Sequence, residues 1–482
     1  MSQTEDYDLV VIGAGPAGES AASLAAVFGH SVLVVERAAP GGVVTTTGGA
    51  PTKTLREAAL ALTGFHHRDV YGLPDAPVGQ VVLRQIRERA RDVCTTLQRA
   101  TETKLRSRGI EYLSAQARLA PGRKIVVTAN DGSFERAITG RKIVIATGSR
   151  PFRPASVPFE DPDVFDSDKF FEVDRRPMPR NLLIVGGGAI GVEFATLFAA
   201  VGVDVTLMQK GEQLVPTMDD EIADLLREAL DGLGVHVVLG ESPRRISRVN
   251  GLLVVERETG DTMAPEAVLY AVGRSVNTEV LGLDEVGIDT GPRGAIVVDD
   301  HFRTSAPDMY AVGDVIAPTL ASIAMEQGRA AVCHAFGITL KDHVHPLPVS
   351  AVYGMPEVAG AGLTEEACQE QGIAYEVGRC RFDEIPRGVI SGRTEGLLKL
   401  VFGQEDRKLL GVHAIADMAS ELVGMGQAVL HFGGSIDTFI DLTLNTPTYT
   451  MAYKVATADG LMRLARRHGP AFLASFQSNK LA

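Results

Sequence analysis

Two copies of one glycine spacing stand out as the residues able to do chemistry. Gly13-x-Gly15-x-x-Gly18 follows the apolar run at 8–12 and opens a small-residue segment at 16–28. Glu36 closes the next apolar run, at 31–36. Between a strand and a helix, the first glycine makes the tight turn. The second lets backbone N–H groups approach a pyrophosphate, and the third lets the helix lie close on the strand. An acid at the end of the next strand accepts hydrogen bonds from ribose hydroxyls. The second copy, Gly186-x-Gly188-x-x-Gly191, begins 173 residues after the first. Glu36 lies 23 residues beyond Gly13, and the same step from Gly186 lands on Gln209, followed by Lys210. Losing the carboxylate and gaining a cation favours a 2′-phosphate, hence NADP(H) ahead of NAD(H).

The elements that must position these loops form a repeated pattern. Each glycine loop sits in a strand–helix–strand unit of about 30 residues, the size of a βαβ motif. The spacing predicts strands at 8–12, 31–36, 142–146, 181–185, 203–208, 268–272 and 309–312. It predicts a long amphipathic helix at 82–108, with Val82, Ile86, Val93, Leu97 and Leu105 near helical spacing. A repeat this long is a duplicated domain rather than a solenoid. Beyond His345-Pro346-Leu347-Pro348 the texture changes to hairpin-like strands at 397–402 and 409–415 and helices at 419–432 and 451–463. The expected fold class is α/β. Two doubly wound, Rossmann-like dinucleotide-binding domains are joined by a C-terminal α+β domain. The boundaries are 1–150 and 275–345 for the first domain, 151–274 for the inserted second, and 346–482 for the third.

With 482 residues the chain builds large cores without disulfide or metal staples. Its 60 acids against 47 bases give a net charge of −13, which argues against nucleic-acid and anionic-membrane partners. Glycine, at 51 residues, is enriched and clusters in short loops between apolar runs. Cys94, Cys333, Cys368 and Cys380 are widely spaced and form no CxxC pair, as in a reduced, cytoplasmic protein. The N-terminus carries acids where a signal peptide carries Lys or Arg. The most apolar stretch, 182–208, holds Glu193 and Asp204 and makes a poor membrane helix. His66-His67 and His343-x-His345 lack the companion ligands of a metal site, so no metal is expected. Cys333 and Cys94 read as small hydrophobes within helices.

Two dinucleotide sites imply two dinucleotides, and the economical pairing is a resident FAD with an exchanging NAD(P)H. Asp314, at a strand end after Gly313, suits a polar clamp on the flavin ribityl or phosphate. The motif order GAGPAG, GG…PTK, ATGSRP, GGGAIGVEFA, AVGR and AVGD resembles the two-dinucleotide flavoproteins of the pyridine nucleotide-disulfide oxidoreductase family. Within it, PTKTLREAAL, GDVIAPTLASIAMEQGRAAVCHAFG, TEGLLKLVF, LLGVHAI and MAYKVATADGL are most similar to the soluble pyridine nucleotide transhydrogenase branch. The resemblance covers nearly the whole chain. It implies FAD held by Gly13, Gly15, Gly18, Glu36, Arg37, Gly42, Lys53, Ala117, Thr147, Gly148, Gly313, Asp314, Leu320 and Ala321. It implies a nicotinamide nucleotide at Gly186, Gly188, Ile190, Gly191, Glu193, Gln209, Lys210 and Gly273, and a homodimer through the C-terminal domain. It implies that Lys53, which opposes the dipole of its own helix, faces flavin N5 and pairs with Glu193, the two forming the catalytic centre.

The sequence departs from this family at four positions. Disulfide reductases carry CxxxxC before the PxK helix, and Val44 and Gly49 stand there. Neither forms a thiolate, so disulfide exchange at this site is excluded. Thr446 and Met451 replace a His–Glu acid–base pair, and neither titrates near neutrality. The expected activity is FAD-dependent transfer of hydride from NAD(P)H to another nicotinamide. The alternatives are a quinone, O2 or another small molecule as acceptor in a pocket lined by Thr45, Thr46, Thr47 and Gly49, and a non-catalytic FAD or NAD(P)H-binding scaffold.

Overall fold

The computed structural model describes residues 5–63, 80–172, 178–345, 347 and 349–469. His66 and His67 lie outside the described residues.

The first parallel sheet is centred on Glu5–Ile12. Val32–Glu36 lies on one side and Glu135–Ile145 on the other, with Glu111–Ala120 and Met309–Ala311 outside them. Leu9, Val10, Val11 and Ile12 are all buried, as expected of a strand covered on both faces. The second sheet repeats the plan. Asn181–Val185 lies between Asp204–Met208 and Ala267–Tyr270, with His236–Val238 and Val164–Phe165 at the edges. In both sheets the chain leaves the central strand to opposite sides. The crevice at its carboxyl end is therefore a topological switch point, where ligands bind in such sheets.

Helices at 16–28, 82–108, 189–200, 419–432 and 451–463 are expected. The structure has them as Pro16–Val27, Gln80–Ser107, Ala189–Ala200, Ala419–His431 and Met451–His468. The strand expected at 142–146 is the end of a longer one. Glu135–Thr139 pairs antiparallel with Lys124–Ala129, which pairs with Glu111–Ala120. The second copy has its own antiparallel meander, Pro243–Val249, Leu252–Arg257 and Thr262–Met263. Its first turn, Asn250-Gly251, has positive φ at both residues, the backbone that an Asn-Gly hairpin turn requires.

The C-terminal sheet runs Val349–Val352, Glu357–Gly362, Leu409–Ala416, Leu397–Gly403, Tyr375–Arg381, antiparallel throughout. Helices Ala419–His431 and Met451–His468 cover it. Between the glycine loops, helix Pro16–Val27 packs on Ala321–Phe336 through small residues. A Cβ on Gly328 would lie 2.3 Å from Ala17 O. That close contact brings the N-terminus of Ala321–Phe336 alongside the first loop. Among the described residues, no helix is long and apolar enough to cross a membrane, and no cluster of His, Cys, Asp or Glu could hold a metal.

Candidate functional site

In the first loop, Gly13 has φ +108 and a Cβ there would fall 2.3 Å from Ala146 O. A Cβ on Gly18 would fall 1.9 Å from Gly13 O, so helix and loop touch backbone to backbone. Gly42 faces Gly15: its Cβ would meet Gly15 Cα at 2.9 Å. Among the described residues no side chain caps helix Pro16–Val27, which starts after Gly15, or helix Ala321–Phe336, which starts after Leu320. Two uncapped helix N-termini beside a cradle without side chains suit a pyrophosphate, and these residues fit FAD. Glu36 fixes the loop: Oε2 accepts from Ala14 N at 2.7 Å and Oε1 from Ala38 N at 2.8 Å. Ala117 is buried in its strand, and the Arg37 carbonyl accepts from Asn130 Nδ2 at 3.0 Å.

Asp314 is held by residues the sequence did not single out. Thr319 N donates to its Oδ1 at 3.0 Å, Ser149 donates to Oδ2, and Arg274 Nε lies 3.6 Å away. Arg274 also donates to Ser149 Oγ at 2.7 Å. Gln327 Oε1 accepts from Gly313 N at 2.7 Å. Thr147 and Gly148 are locked to Asn277: Thr147 Oγ1 donates to its carbonyl at 2.8 Å and Asn277 N to Gly148 O at 3.0 Å.

The second loop repeats the first closely. Gly186 has φ +109, with a Cβ position 2.4 Å from Ala271 O, and a Cβ on Gly191 would lie 1.8 Å from Gly186 O. Cβ positions on Gly188 and Gly273 meet open space, so neither closes the approach to the loop. Ile190 packs against the core of this unit. Gln209 takes the place of Glu36 in geometry as well as in register: its Oε1 accepts from Gly187 N at 2.9 Å. Its Nε2 donates to Gln213 O at 3.3 Å. The loop bond is kept and the negative charge is gone. Lys210 stands exposed beside it.

The first and second units meet at Lys53 and Glu193. Lys53 lies in the first turn of helix Ala50–Thr63, and Glu193 on helix Ala189–Ala200. Lys53 Nζ reaches both carboxylate oxygens, at 2.9 and 2.7 Å. A third element completes the contact: Tyr353 N donates to Glu193 Oε1 at 3.0 Å, and Lys53 Nζ sits 4.6 Å over the Tyr353 ring. Burial, with Glu357 and Glu193 nearby, raises the Tyr353 phenol pKa, so it stays neutral.

Positions 44 and 49 come together as a cysteine pair would. A Cβ on Gly49 would lie 2.8 Å from Val44 Cα. The long helix Gln80–Ser107 braces this segment, Gln98 Nε2 donating to Thr45 O at 3.0 Å. Cys333, Cys368 and Cys380 are buried and Cys94 partly so. Burial pushes all four thiols up, Cys380 to about 12, so none is an activated thiolate. Nearby, burial raises the Asp168 carboxyl against the opposing charge of Arg274. At the other departure from the family, Thr446 is exposed and Met451 begins helix Met451–His468.

The pyridine nucleotide-disulphide oxidoreductase model matches residues 7–328, and that family's dimerisation domain matches residues 349–457. The chain belongs to the pyridine nucleotide-disulphide oxidoreductase family. It is an FAD-dependent oxidoreductase that uses pyridine nucleotides. Similar curated proteins include the soluble pyridine nucleotide transhydrogenase of Mycobacterium tuberculosis, 38% identical over 461 residues, covering 95% of this chain and 98% of the relative. That of Pseudomonas aeruginosa is 35% identical over 464 residues, covering 95% and 99%. Among solved structures, the HOCl-induced flavoprotein disulfide reductase RclA from Escherichia coli superposes with a TM-score of 0.83 at 27% identity, covering 94% of this chain and 99% of that one. LpdA from Mycobacterium tuberculosis, at 24% identity and a TM-score of 0.86, shares the fold and covers 94% and 99%.

Replacing Lys53 by Met removes the cation and leaves Glu193 partly buried and bonded only by Tyr353 N. The limiting rate of flavin reduction at saturating NADPH should fall roughly 100-fold, the usual loss for one electrostatic stabiliser. FAD content should be unchanged. Anaerobic stopped-flow absorbance measures both, and a rate within threefold of wild type would remove Lys53 from the reaction.

Proposed function

We propose that the protein is a pyridine nucleotide transhydrogenase that moves hydride from NADPH to NAD⁺ by way of FAD. The observation that carries this is the contrast at one crevice: positions 44 and 49 lie together without sulfur, while Lys53, Glu193 and Tyr353 stay joined. FAD, when bound, accepts a hydride from one nicotinamide and returns it to another. The chain's own part is binding, orientation and charge. Gly13, Gly15, Gly18 and Gly42 cradle the flavin dinucleotide, and Glu36 takes a ribose hydroxyl. Ser149 and Arg274 orient Asp314 against the flavin's polar chain. Lys53 places a positive charge where negative charge develops. Glu193 holds Lys53 in that position and seats the nicotinamide. Both nucleotides use the second loop in turn, so no thiol and no titrating dyad is required. The first unit, 1–150 with 275–345, carries FAD, the inserted unit 151–274 carries the nucleotide, and 346–482 forms a homodimer interface. The substrates are small molecules, and the working place is the cytoplasm.

The relatives' names support this reading, as does their near full-length match. Exposed apolar side chains in the third unit support the dimer, among them Val389, Ile390, Ile440, Met462 and Phe432, the last 85% exposed. Light scattering should give about twice the 51.2 kDa chain mass, and a monomer at micromolar concentration would refute the dimer.

The acceptor test is anaerobic titration with NADPH. The flavin band should bleach with no long-wavelength thiolate-to-flavin absorbance, and NAD⁺ or its thio-analogue should restore it. Lipoamide and glutathione disulfide should be inert. Restoration by a quinone and not by NAD⁺ would replace the transhydrogenase reading with a quinone reductase. Disulfide turnover that disappears when one of the four cysteines becomes Ser would overturn both.

Gln209→Glu keeps an acceptor for Gly187 N and adds a carboxylate beside the 2′-position. NADPH should lose about 1–3 kcal/mol of binding, roughly 5- to 150-fold, from one added repulsion at a charge-assisted contact. NADH should gain or hold. Steady-state kcat/KM for the two nucleotides checks this, and an unchanged NADPH value would place the 2′-phosphate elsewhere.

A further inference from the structure

Several charged groups with no part in the hydride scheme converge at one place. Three adjacent strands of the C-terminal sheet set Arg379, Lys399 and His413 side by side, because the register pairs Arg379 with Lys399 and Lys399 with His413. Lys399 is 1% exposed and meets three carboxylates: Asp219 at 2.8 Å, Glu221 at 2.9 Å, and Glu365. Arg379 meets Glu221 at 2.8 Å and Glu365 at 3.1 Å. Asp219 is fully buried. It and Glu221 belong to another unit, where they open helix Asp220–Gly232 behind the second glycine loop. A lysine stripped of water keeps its charge only among such partners. Burial opposes the Lys399 charge, and Asp219, Glu365 and Glu221 together outweigh it, so its pKa is raised. His413, lowered by burial, stays neutral beside it, its Nε2 2.9 Å from Leu363 O. The cluster therefore ties the C-terminal sheet to residue 219 with little freedom.

Residue 219 ends the segment that follows Lys210. Val215 N donates to Gly187 O at 2.8 Å, and Met218 N to Val215 O at 2.8 Å. Leu214 lies over the loop: a Cβ on Gly187 would fall 2.6 Å from Leu214 Cδ2. Gln213 spans the segment. Its Nε2 donates to Asp220 Oδ1 at 2.9 Å, and its carbonyl accepts from Gln209. Val215 adopts φ +42, a region that L side chains avoid. Such a conformation persists where its surroundings over-determine it. Here one end is pinned at Gly187 and the other at Asp219.

We propose that Lys399 is a positioning residue for nicotinamide-nucleotide binding: by holding Asp219 it keeps the segment 213–219 seated on the second glycine loop. The proposal rests on the reading of that loop as the nucleotide site. The C-terminal sheet thereby sets nucleotide affinity from the far side of the inserted unit. Lys399 touches neither the flavin cradle nor Lys53, so its effect falls on binding rather than on the reaction.

The test uses full-length, FAD-loaded protein. NADP⁺ binding is measured by calorimetry, and the limiting rate of flavin reduction by stopped flow with saturating NADPH. Lys399→Met is compared with Gln213→Ala, a milder break in the same chain on the exposed side. The NADP⁺ Kd should rise at least fivefold in Lys399→Met and at least twofold in Gln213→Ala. The limiting rate should stay within twofold in both, with full FAD content. A Kd unchanged in Lys399→Met overturns the proposal, as does a limiting rate that falls in step with binding. If Lys399→Met fails to retain FAD, Gln213→Ala decides, and an unchanged Kd there overturns it. Wild type that binds neither NADP⁺ nor NAD⁺ would remove the nucleotide reading and the clamp with it, an outcome distinct from equal binding by wild type and variants.

Discussion

The contact between Lys53 and Glu193 joins three parts of the chain that fold around different cores. Lys53 comes from the first unit, Glu193 from the second, and the Tyr353 amide and ring from the start of the C-terminal sheet. Only 12% of the Glu193 side chain and 32% of the Lys53 side chain remain exposed. Partial desolvation of two charges is repaid only when geometry is good and spare lone pairs are filled. Both conditions hold: Nζ reaches both oxygens, and a backbone N–H takes Oε1. The pair is therefore one of the contacts that set how the units sit against each other, with Arg56–Glu357 and Lys399–Asp219 among the others. It also leaves a cation in the first turn of helix Ala50–Thr63, where the helix dipole alone would disfavour it. The carboxylate from the next unit compensates that local conflict. A locally unfavourable charge held by a distant partner is common where a structure serves chemistry rather than stability.

The duplication shows one local solution used twice and changed at one atom type. In both loops a backbone N–H one residue after the first glycine donates to a side chain ending the next strand, at 2.7 Å to Glu36 and 2.9 Å to Gln209. Both helices begin at a glycine with no side-chain cap. Loop shape therefore does not require the carboxylate: an amide oxygen serves as well. What the carboxylate adds is charge at the ribose, and its loss in the second copy leaves Lys210 as the nearest charge in sequence.

Most of the fold was legible because its signals are local. Apolar strands, glycine loops and small-residue helices each follow from short spacings, and the second copy confirmed the first. The antiparallel meanders were missed. One carried a usable signal in Asn250-Gly251, a pair that prefers the hairpin turn it forms. The other carried one only at its second turn, Asp131-Gly132, with Gly132 at φ +72; its first turn, Gly122-Arg123, puts Arg123 at φ +59, which sequence alone does not favour. In the site, the glycines, Glu36, Gln209 and Asp314 were legible by register. Tyr353, Ser149 and Arg274 were not. Tyr353 lies 160 residues from the acid it holds, and Arg274 lies 125 from Ser149. Contacts at that range arise from docked units and leave no periodicity. The Lys53–Glu193 contact spans 140 residues and was readable only through resemblance.

The absent sulfurs connect these features. Val44 and Gly49 occupy a close contact that a disulfide would otherwise fill, and the fold accommodates it with a one-turn helix, Val43–Thr46, braced by Gln98. The scaffold therefore does not depend on the covalent link. Function does change, because without thiols the chain has no second place to keep an electron pair next to the flavin. The remaining cysteines offer none: burial disfavours their thiolates. On the proposed scheme a single store makes donor and acceptor visit in turn, and a shared site must release each nucleotide as readily as it binds it. Heavy charge at the 2′-position would work against that exchange. One exposed lysine, screened by solvent, attracts weakly, and a neutral glutamine repels neither nucleotide. The same substitutions that end disulfide chemistry at the first loop thus suit the nearly neutral environment at the second.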